Sequence, residues 1–218
     1  MSTPGEIREP ETGQTNQPPP QARPSLYSES ERHFLYPWQR LRQTLLLPLA
    51  AGLDALHITP DMLSWCSVVL GAGFFFVARL RFDIAFWLLV GSVFLDGVDG
   101  VLARYHRAPS SKGSFTDAFC DEAVVALTVG GLIWKGLINP VLGVIFVYIY
   151  TSLVTMLLIH QVLAVSSQGI IRPSRMLLYA FVGIYYFFGW NWMDGLLWVY
   201  LLALPILGLS YWRIHRAL

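Results

Sequence analysis

From Met62 to Arg213 the chain passes through six apolar segments, each of membrane-span length or close to it, divided by short breaks of Gly, Pro, Asn and charged residues. In hydrocarbon every backbone N–H and C=O must find its partner within the protein, so segments of this kind fold as helices. That constraint makes the chain an all-α, polytopic membrane protein. Composition agrees, with 55% of the 218 residues hydrophobic and 13% charged, against about 25% charged in an ordinary soluble domain. The net charge of +1 says nothing about partners, and with no basic face available nucleic acid is not expected as one.

The breaks place the helices. Thr59-Pro60-Asp61 offers an N-cap, a proline at the first helical position and an acid in the first turn. It predicts a first span over 62–77. The hinge 79–83 leads to a second helix over 84–106, and the loop 109–113 to a third over 114–137. Asn139-Pro140 opens a fourth, ending near Ser166. A fifth is expected over 174–188 and a sixth from Asp194 to near Arg213. Cys66 and Cys120 fall within apolar runs, too far apart and too few for a metal site, and are expected to be small buried side chains.

Ahead of the spans the character changes. Residues 1–33 hold Pro18-Pro19-Pro20 among Glu, Gln, Thr and Ser, and have too few aliphatic groups to offset the entropy of ordering, so a disordered tail is expected. No apolar run follows a basic start, so no cleaved signal peptide is expected. Over 34–58, Trp38, Leu41 and Leu45 share one helical face while Gln39, Arg40 and Gln43 lie off it. That pattern predicts an interfacial amphipathic helix, interrupted at Pro48; a helix packed on the first span is the alternative. The six-helix transmembrane domain then occupies 59–213, and 214–218 form a cytoplasmic C-terminus.

Charge sets the orientation. The tail, the 104–112 and 167–175 loops and the C-terminus hold twelve of the fifteen Lys and Arg, whereas the opposite loops hold only Arg79, Arg81 and Lys135. The bias predicts both termini at the cytoplasmic face, together with the inner end of the second helix.

That end carries the chemistry. Asp96, Asp99, Gly100 and Ala103 fall within roughly a 100° arc of one helix, and Gly113, Asp117 and Asp121 within about 80° of the next. The short loop makes these helices antiparallel neighbours, so four carboxylates converge on one cavity. They cannot all stay ionised in a low-dielectric site without cations. All-oxygen ligands select hard divalent ions, Mg²⁺ or Mn²⁺, and two such ions form the usual clamp for a pyrophosphate or a phosphoryl transfer. Gly100 and Ala103 leave room for a flat ligand, Gly113 allows close backbone approach, and Arg104 at the rim can reach a phosphate. Polar pairing between helices would need one or two such residues, not four beside glycines. A calcium loop is excluded because Val98 and Gly100 stand at ligand positions.

The spacing D-x2-D-G-x2-A-R-x8-G-x3-D-x3-D, met at Asp96, Asp99, Gly100, Ala103, Arg104, Gly113, Asp117 and Asp121, resembles the signature of the CDP-alcohol phosphotransferases. The motif covers 26 residues, and the six-span layout extends the resemblance over about 60–213. It implies a CDP-linked lipid, most simply CDP-diacylglycerol, bound with two divalent ions at the cytoplasmic surface of a bacterial or archaeal cell membrane. It also implies Asp96, Asp99 and Asp117 as metal ligands and Asp121 as both ligand and base. Gly100, Ala103, Arg104 and Gly113 would line the cytidine and phosphate site. An acceptor hydroxyl then displaces CMP and forms a phosphodiester. A homodimer is implied as well.

The acceptor is less legible. Arg172 and Arg175 at the start of the fifth span, with Arg107 and Lys112 in the motif loop, could hold an acceptor phosphate or anchor the protein at lipid headgroups. Glu122 stands where many members with phosphorylated acceptors carry Lys or Arg, which weighs against glycerol phosphate or inositol phosphate. His160 and Gln161 are candidates for the acceptor side or for an interhelical hydrogen bond. Two further functions fit acids in membrane helices: transfer from a CDP-choline or CDP-ethanolamine donor to diacylglycerol, and divalent-cation transport.

Overall fold

The computed structural model describes residues 44–106, 111–163 and 175–217, and all regular structure in them is helical. The expected tail over 1–33, the first ten residues of the expected interfacial helix, Arg107, Arg172 and the Lys112 side chain lie outside the described residues.

Among the described residues eight helices follow in order: α1 (Thr44–Ala55), α2 (Pro60–Val77), α3 (Phe82–Tyr105), α4 (Ser111–Lys135), α5 (Pro140–Val162), α6 (Arg175–Phe188), α7 (Met193–Leu201) and α8 (Leu204–Ala217). Four stretches among the described residues are long and apolar enough to cross a membrane: α2, α3, α5 and the α7–α8 pair. The chain is thus a multi-pass membrane protein in its apolar helices, while the full count of six spans rests on α4, which carries acids, and on α6, which has 14 residues.

Local chemistry explains most of the boundaries. Thr59 caps α2 as expected, its Oγ1 accepting from the Met62 amide at 3.3 Å with Pro60 in the first turn. Asn139 starts α5 by accepting from the Val141 amide at 2.9 Å. Two expectations are corrected. Helix α1 runs through Pro48, whose missing N–H forfeits one backbone hydrogen bond. The sixth span is a broken helix: Pro205 has no N–H for the Leu201 carbonyl, and the Leu202 and Ala203 amides turn back to Val199 and Tyr200 at 3.1 and 3.0 Å.

Helix α1 ends at His57 (φ 59°), a left-handed position. The His57 amide donates to Asp54 O and the Ile58 amide to Leu53 O, closing the last turn. Leu53 and Ile58 both pack on a cluster formed by Ala50, Leu63, Val98, Val101 and Leu102, which seats α1 on α2 and α3. Leu45, Leu47, Leu49 and Leu56 face outward from the same helix.

α2 is the hub, packing along both α3 and α4, whereas α3 and α4 touch each other sparingly. The expected antiparallel neighbours are therefore held apart by α2 and face one another across a gap. Glycine makes the α2–α4 approach possible: a Cβ on Gly131 would lie 3.1 Å from the Phe75 Cα and 2.9 Å from the Phe74 ring. The larger core, around Phe74, Phe86, Leu132, Phe146, Leu178 and Met193, fills the half of the bundle away from the motif. Apolar residues also cover the outside, among them Met62, Trp65, Val69 and Phe76 on α2 and Ile84, Trp87, Val90 and Phe94 on α3, as helices in lipid require. Cys66 lies on that exposed face, not in the core as expected; Cys120 is buried.

The far end is tied by hydrogen bonds from the α4–α5 loop to the α6–α7 loop and the first turn of α7. The Asn139 amide donates to Asp194 Oδ1 at 2.9 Å, and Asn191 Nδ2 donates to the Leu137 carbonyl at 2.9 Å. Lys135 sits over the Phe82 ring at 5.1 Å.

Candidate active site

The polar residues of α2, α3 and α4 interrupt the apolar packing between the two clusters. On α3 the apolar face that holds Phe86 and Leu89 gives way to Ser92, Asp96 and Asp99, one helical turn apart. On α2 the matching turn holds Ser64 and Ser67, both buried. One carboxylate oxygen from each of Asp96, Asp99 and Asp117 lies within 4.8 Å of the others. Asp99 is buried, Asp96 half-buried and Asp117 exposed, so the group opens at one side.

Buried acids keep their geometry only when their oxygens are hydrogen-bonded. Ser64 Oγ donates to Asp99 Oδ2 at 2.7 Å. Ser67 Oγ donates to the Ser64 carbonyl at 2.7 Å, and Ser92 Oγ to the Ser67 carbonyl at 2.8 Å. This serine chain stitches α3 to α2 beneath the acids. Nothing in the spacing of the motif announces it, although Ser64 and Ser67, three apart in an apolar helix, were a visible signal.

Asp121, also buried, stands beside this trio in a different pairing. Arg175, the first residue of α6, donates through Nη2 to Asp96 Oδ2 at 2.6 Å and pairs through Nη1 with Asp121 Oδ1. The guanidinium thereby joins an acid of α3 to an acid of α4 across the gap. Of the four basic residues expected near an acceptor, Arg175 is the one whose described side chain reaches the acids. Ser67, Ser92, Asp96, Asp121, Arg175 and Tyr179 line a small cleft there, with Val93 and Val124 as its apolar wall.

The remaining motif residues flank the site. Gly100 and Ala103 are half-buried on α3, Arg104 is exposed near its end, and Gly113 is half-buried in the first turn of α4. His160 does not face the acids: its Nε2 lies 2.9 Å from Ser210 Oγ, the interhelical bond that was one of its two expected roles. The donor set of the acid trio is all oxygen, without His or Cys, and so fits a hard divalent cation better than zinc.

Three relatives match part of this chain. Two are CDP-diacylglycerol–serine O-phosphatidyltransferases of Helicobacter pylori: strain J99, 35% identical over 35% of this chain and 32% of the relative, and strain 26695, 33% identical over 32% and 30%. The third is the phosphatidylinositol phosphate synthase of Cutibacterium acnes, 30% identical over 41% of this chain and 42% of the relative. Each match spans less than half of the relative's length. The family profile reaches further, matching residues 57–207, from the end of α1 into α8. With that match over more than half its length, the chain belongs to the CDP-alcohol phosphatidyltransferase family.

Proposed function

We propose that this protein transfers a phosphatidyl group from CDP-diacylglycerol to the hydroxyl of an acceptor alcohol, releasing CMP, at the cytoplasmic face of a bacterial or archaeal cell membrane. The observation that carries this reading is the convergence of Asp96, Asp99 and Asp117, with Asp121 beside them on the far wall of one open cleft. The family match and the activities named for the three relatives support it. A divalent-cation transporter would have no use for the Gly100, Ala103 and Arg104 segment beside its acids, and the family match disfavours it.

In this reading Asp96, Asp99 and Asp117 hold divalent cations, Mg²⁺ or Mn²⁺, with Asp121 sharing in their ligation. When bound, such ions offset the charge of the pyrophosphate and of the departing CMP. Gly100 and Ala103 admit the cytidine, and Arg104 and Gly113 bind its phosphates. Asp121 takes the proton of the acceptor hydroxyl as the new P–O bond forms at the β-phosphorus. The P–O bond to CMP breaks in the same displacement, so atoms and charge balance without a further reactant. Arg175 positions the Asp121 carboxylate toward the cleft. Helices α4 and α6 complete a six-span domain over 59–213, with α1 at the membrane surface.

The test is CMP release by purified protein from CDP-diacylglycerol in mixed micelles with Mg²⁺ or Mn²⁺ and a panel of alcohols. Metal-dependent release is expected, and Asp121→Asn should bind metal and CDP-lipid while losing turnover by a factor of about 10² or more. Release from CDP-choline with diacylglycerol, but not from CDP-diacylglycerol, would reverse the donor assignment. Full turnover by Asp121→Asn would remove the base.

A further inference from the structure

Helix α3 presents two different faces over its last turns. At 100° per residue, Asp96, Asp99, Gly100, Ala103 and Arg104 fall within about 140° of the helix, and Val98, Val101 and Leu102 within about 100° on the opposite side. The second face is buried, against Leu63 of α2, Ala50 and Leu53 of α1, and Ile58 just past the end of α1. Helix α1 thus lies behind the motif, on the side of α3 away from the acids. At the end of α3 this apolar contact gives way to a polar tie: His106 Nε2 lies 2.7 Å from Asp54 Oδ1. An ionised carboxylate only accepts, so the imidazole donates.

Asp54 is out of place by local rules. It stands in the last turn of α1, where the negative end of the helix dipole disfavours an acid. His106 is the C-cap of α3, where a donor is favoured, and its amide is bonded to the Leu102 carbonyl. The bond between them offsets the poor position of the acid with the good position of the donor, and it fastens one helix end to the other.

We propose that Asp54 and His106 are positioning residues for the donor nucleotide; the inference rests on the transferase reading above. Ala103 and Arg104 lie within the last turn before His106, and Gly100 less than two turns before it. Helix ends open readily unless they are fastened. The tie, with the apolar seat of α1 behind it, holds the segment that receives cytidine and phosphate. The acids are fixed separately, Asp99 by Ser64 and Asp96 by Arg175, roughly 10 and 15 Å from His106 along the helix. Losing the tie therefore weakens donor binding and spares the chemical step. The side chains are 31% exposed at His106 and 47% at Asp54, which limits the effect to a few-fold.

The experiment uses full-length protein in CDP-diacylglycerol mixed micelles with Mn²⁺ and the alcohol that gives the fastest CMP release in the panel above. The Kd of CDP in the presence of Mn²⁺ is read in parallel by titration calorimetry. Asp54→Ala and His106→Ala are each expected to raise the KM for CDP-diacylglycerol and this Kd by about two- to fivefold, with kcat holding steady. The double variant should lose no more than either single one, since each removes the same bond. His106→Gln, whose side-chain amide offers a donor at similar reach, should restore both constants. Asp54→Ala should keep or raise the Tm in detergent, because it removes an acid from a helix C-terminus, so its weaker binding is not loss of fold. Unchanged KM and Kd in Asp54→Ala, a fall in kcat in place of a rise in KM, or failure of His106→Gln to rescue would each overturn the proposal and leave the transferase reading intact. Absence of CMP release by the wild type with every alcohol would sink the transferase reading and this inference with it. If His106→Ala does not fold, Asp54→Ala and His106→Gln still decide the matter.

Discussion

Ser64 shows how much of this site depends on a residue outside the motif. Its hydroxyl donates to Asp99 at 2.7 Å, and it lies 35 positions away in sequence on another helix. A carboxylate meant to hold a cation must present a chosen oxygen, and a hydrogen bond to the other one sets that choice. Ser64→Ala is expected to weaken Mn²⁺ binding by about 10–100-fold, measured by titration calorimetry or by the paramagnetic signal of free Mn²⁺. The variant should retain the helical content of the wild type. Unchanged Mn²⁺ affinity would mean that the serine only packs. Arg175 presents the same lesson with charge: a guanidinium on α6 joins carboxylates of α3 and α4.

At the scale of elements, the decisive arrangement is α2 between α3 and α4. Gly131 lets α2 and α4 come close enough that a Cβ there would press on the Phe75 backbone. Helix α1 ends at a conformational cost, because its final turn puts His57 into a left-handed conformation that favours glycine. His57→Gly should therefore raise stability by about 1 kcal/mol, seen as a higher Tm in detergent. A lower Tm would show that the His57 side chain contributes more than its backbone conformation costs. The far-end ties through Asp194 and Asn191 belong to this scale as well, since they fasten the α4–α5 loop to the first turn of α7 and to the α6–α7 loop.

For the molecule as a whole, the question is which way it sits in the membrane. In the six-span arrangement, with the Lys and Arg bias cytoplasmic, the α2–α3 hinge faces outward and the C-terminus inward. In a background carrying Cys66→Ser and Cys120→Ser, a membrane-impermeant maleimide applied to intact cells should label Leu80→Cys. It should reach Leu218→Cys only after permeabilisation. The opposite pattern would invert the protein and put the acids on the wrong side for a cytoplasmic nucleotide, and labelling of both sites on intact cells would break the even number of spans.

By itself the sequence determined the helical class, the start of α2 at Thr59 and of α5 at Asn139, and the set of acids that would meet. These follow from local rules: apolar runs in lipid leave no fold but helix, caps act within one turn, and residues three or four apart share a face. The convergence of Asp96 and Asp99 with Asp117 was legible for the same reason, because two short-range patterns joined by a short loop leave few placements. Tertiary structure alone decided the rest. It put α2 between the motif helices, turned Cys66 outward and His160 toward Ser210. It also chose Arg175 to join Asp96 to Asp121, and Ser64, Ser67 and Ser92 to line the underside of the acids. The bonds of Ser64 to Asp99, Ser92 to Ser67 and Arg175 to Asp96 join residues 25 to 79 positions apart, and no periodicity or cap encodes a distance of that kind. They are settled only when whole helices pack and each buried polar group must find a partner.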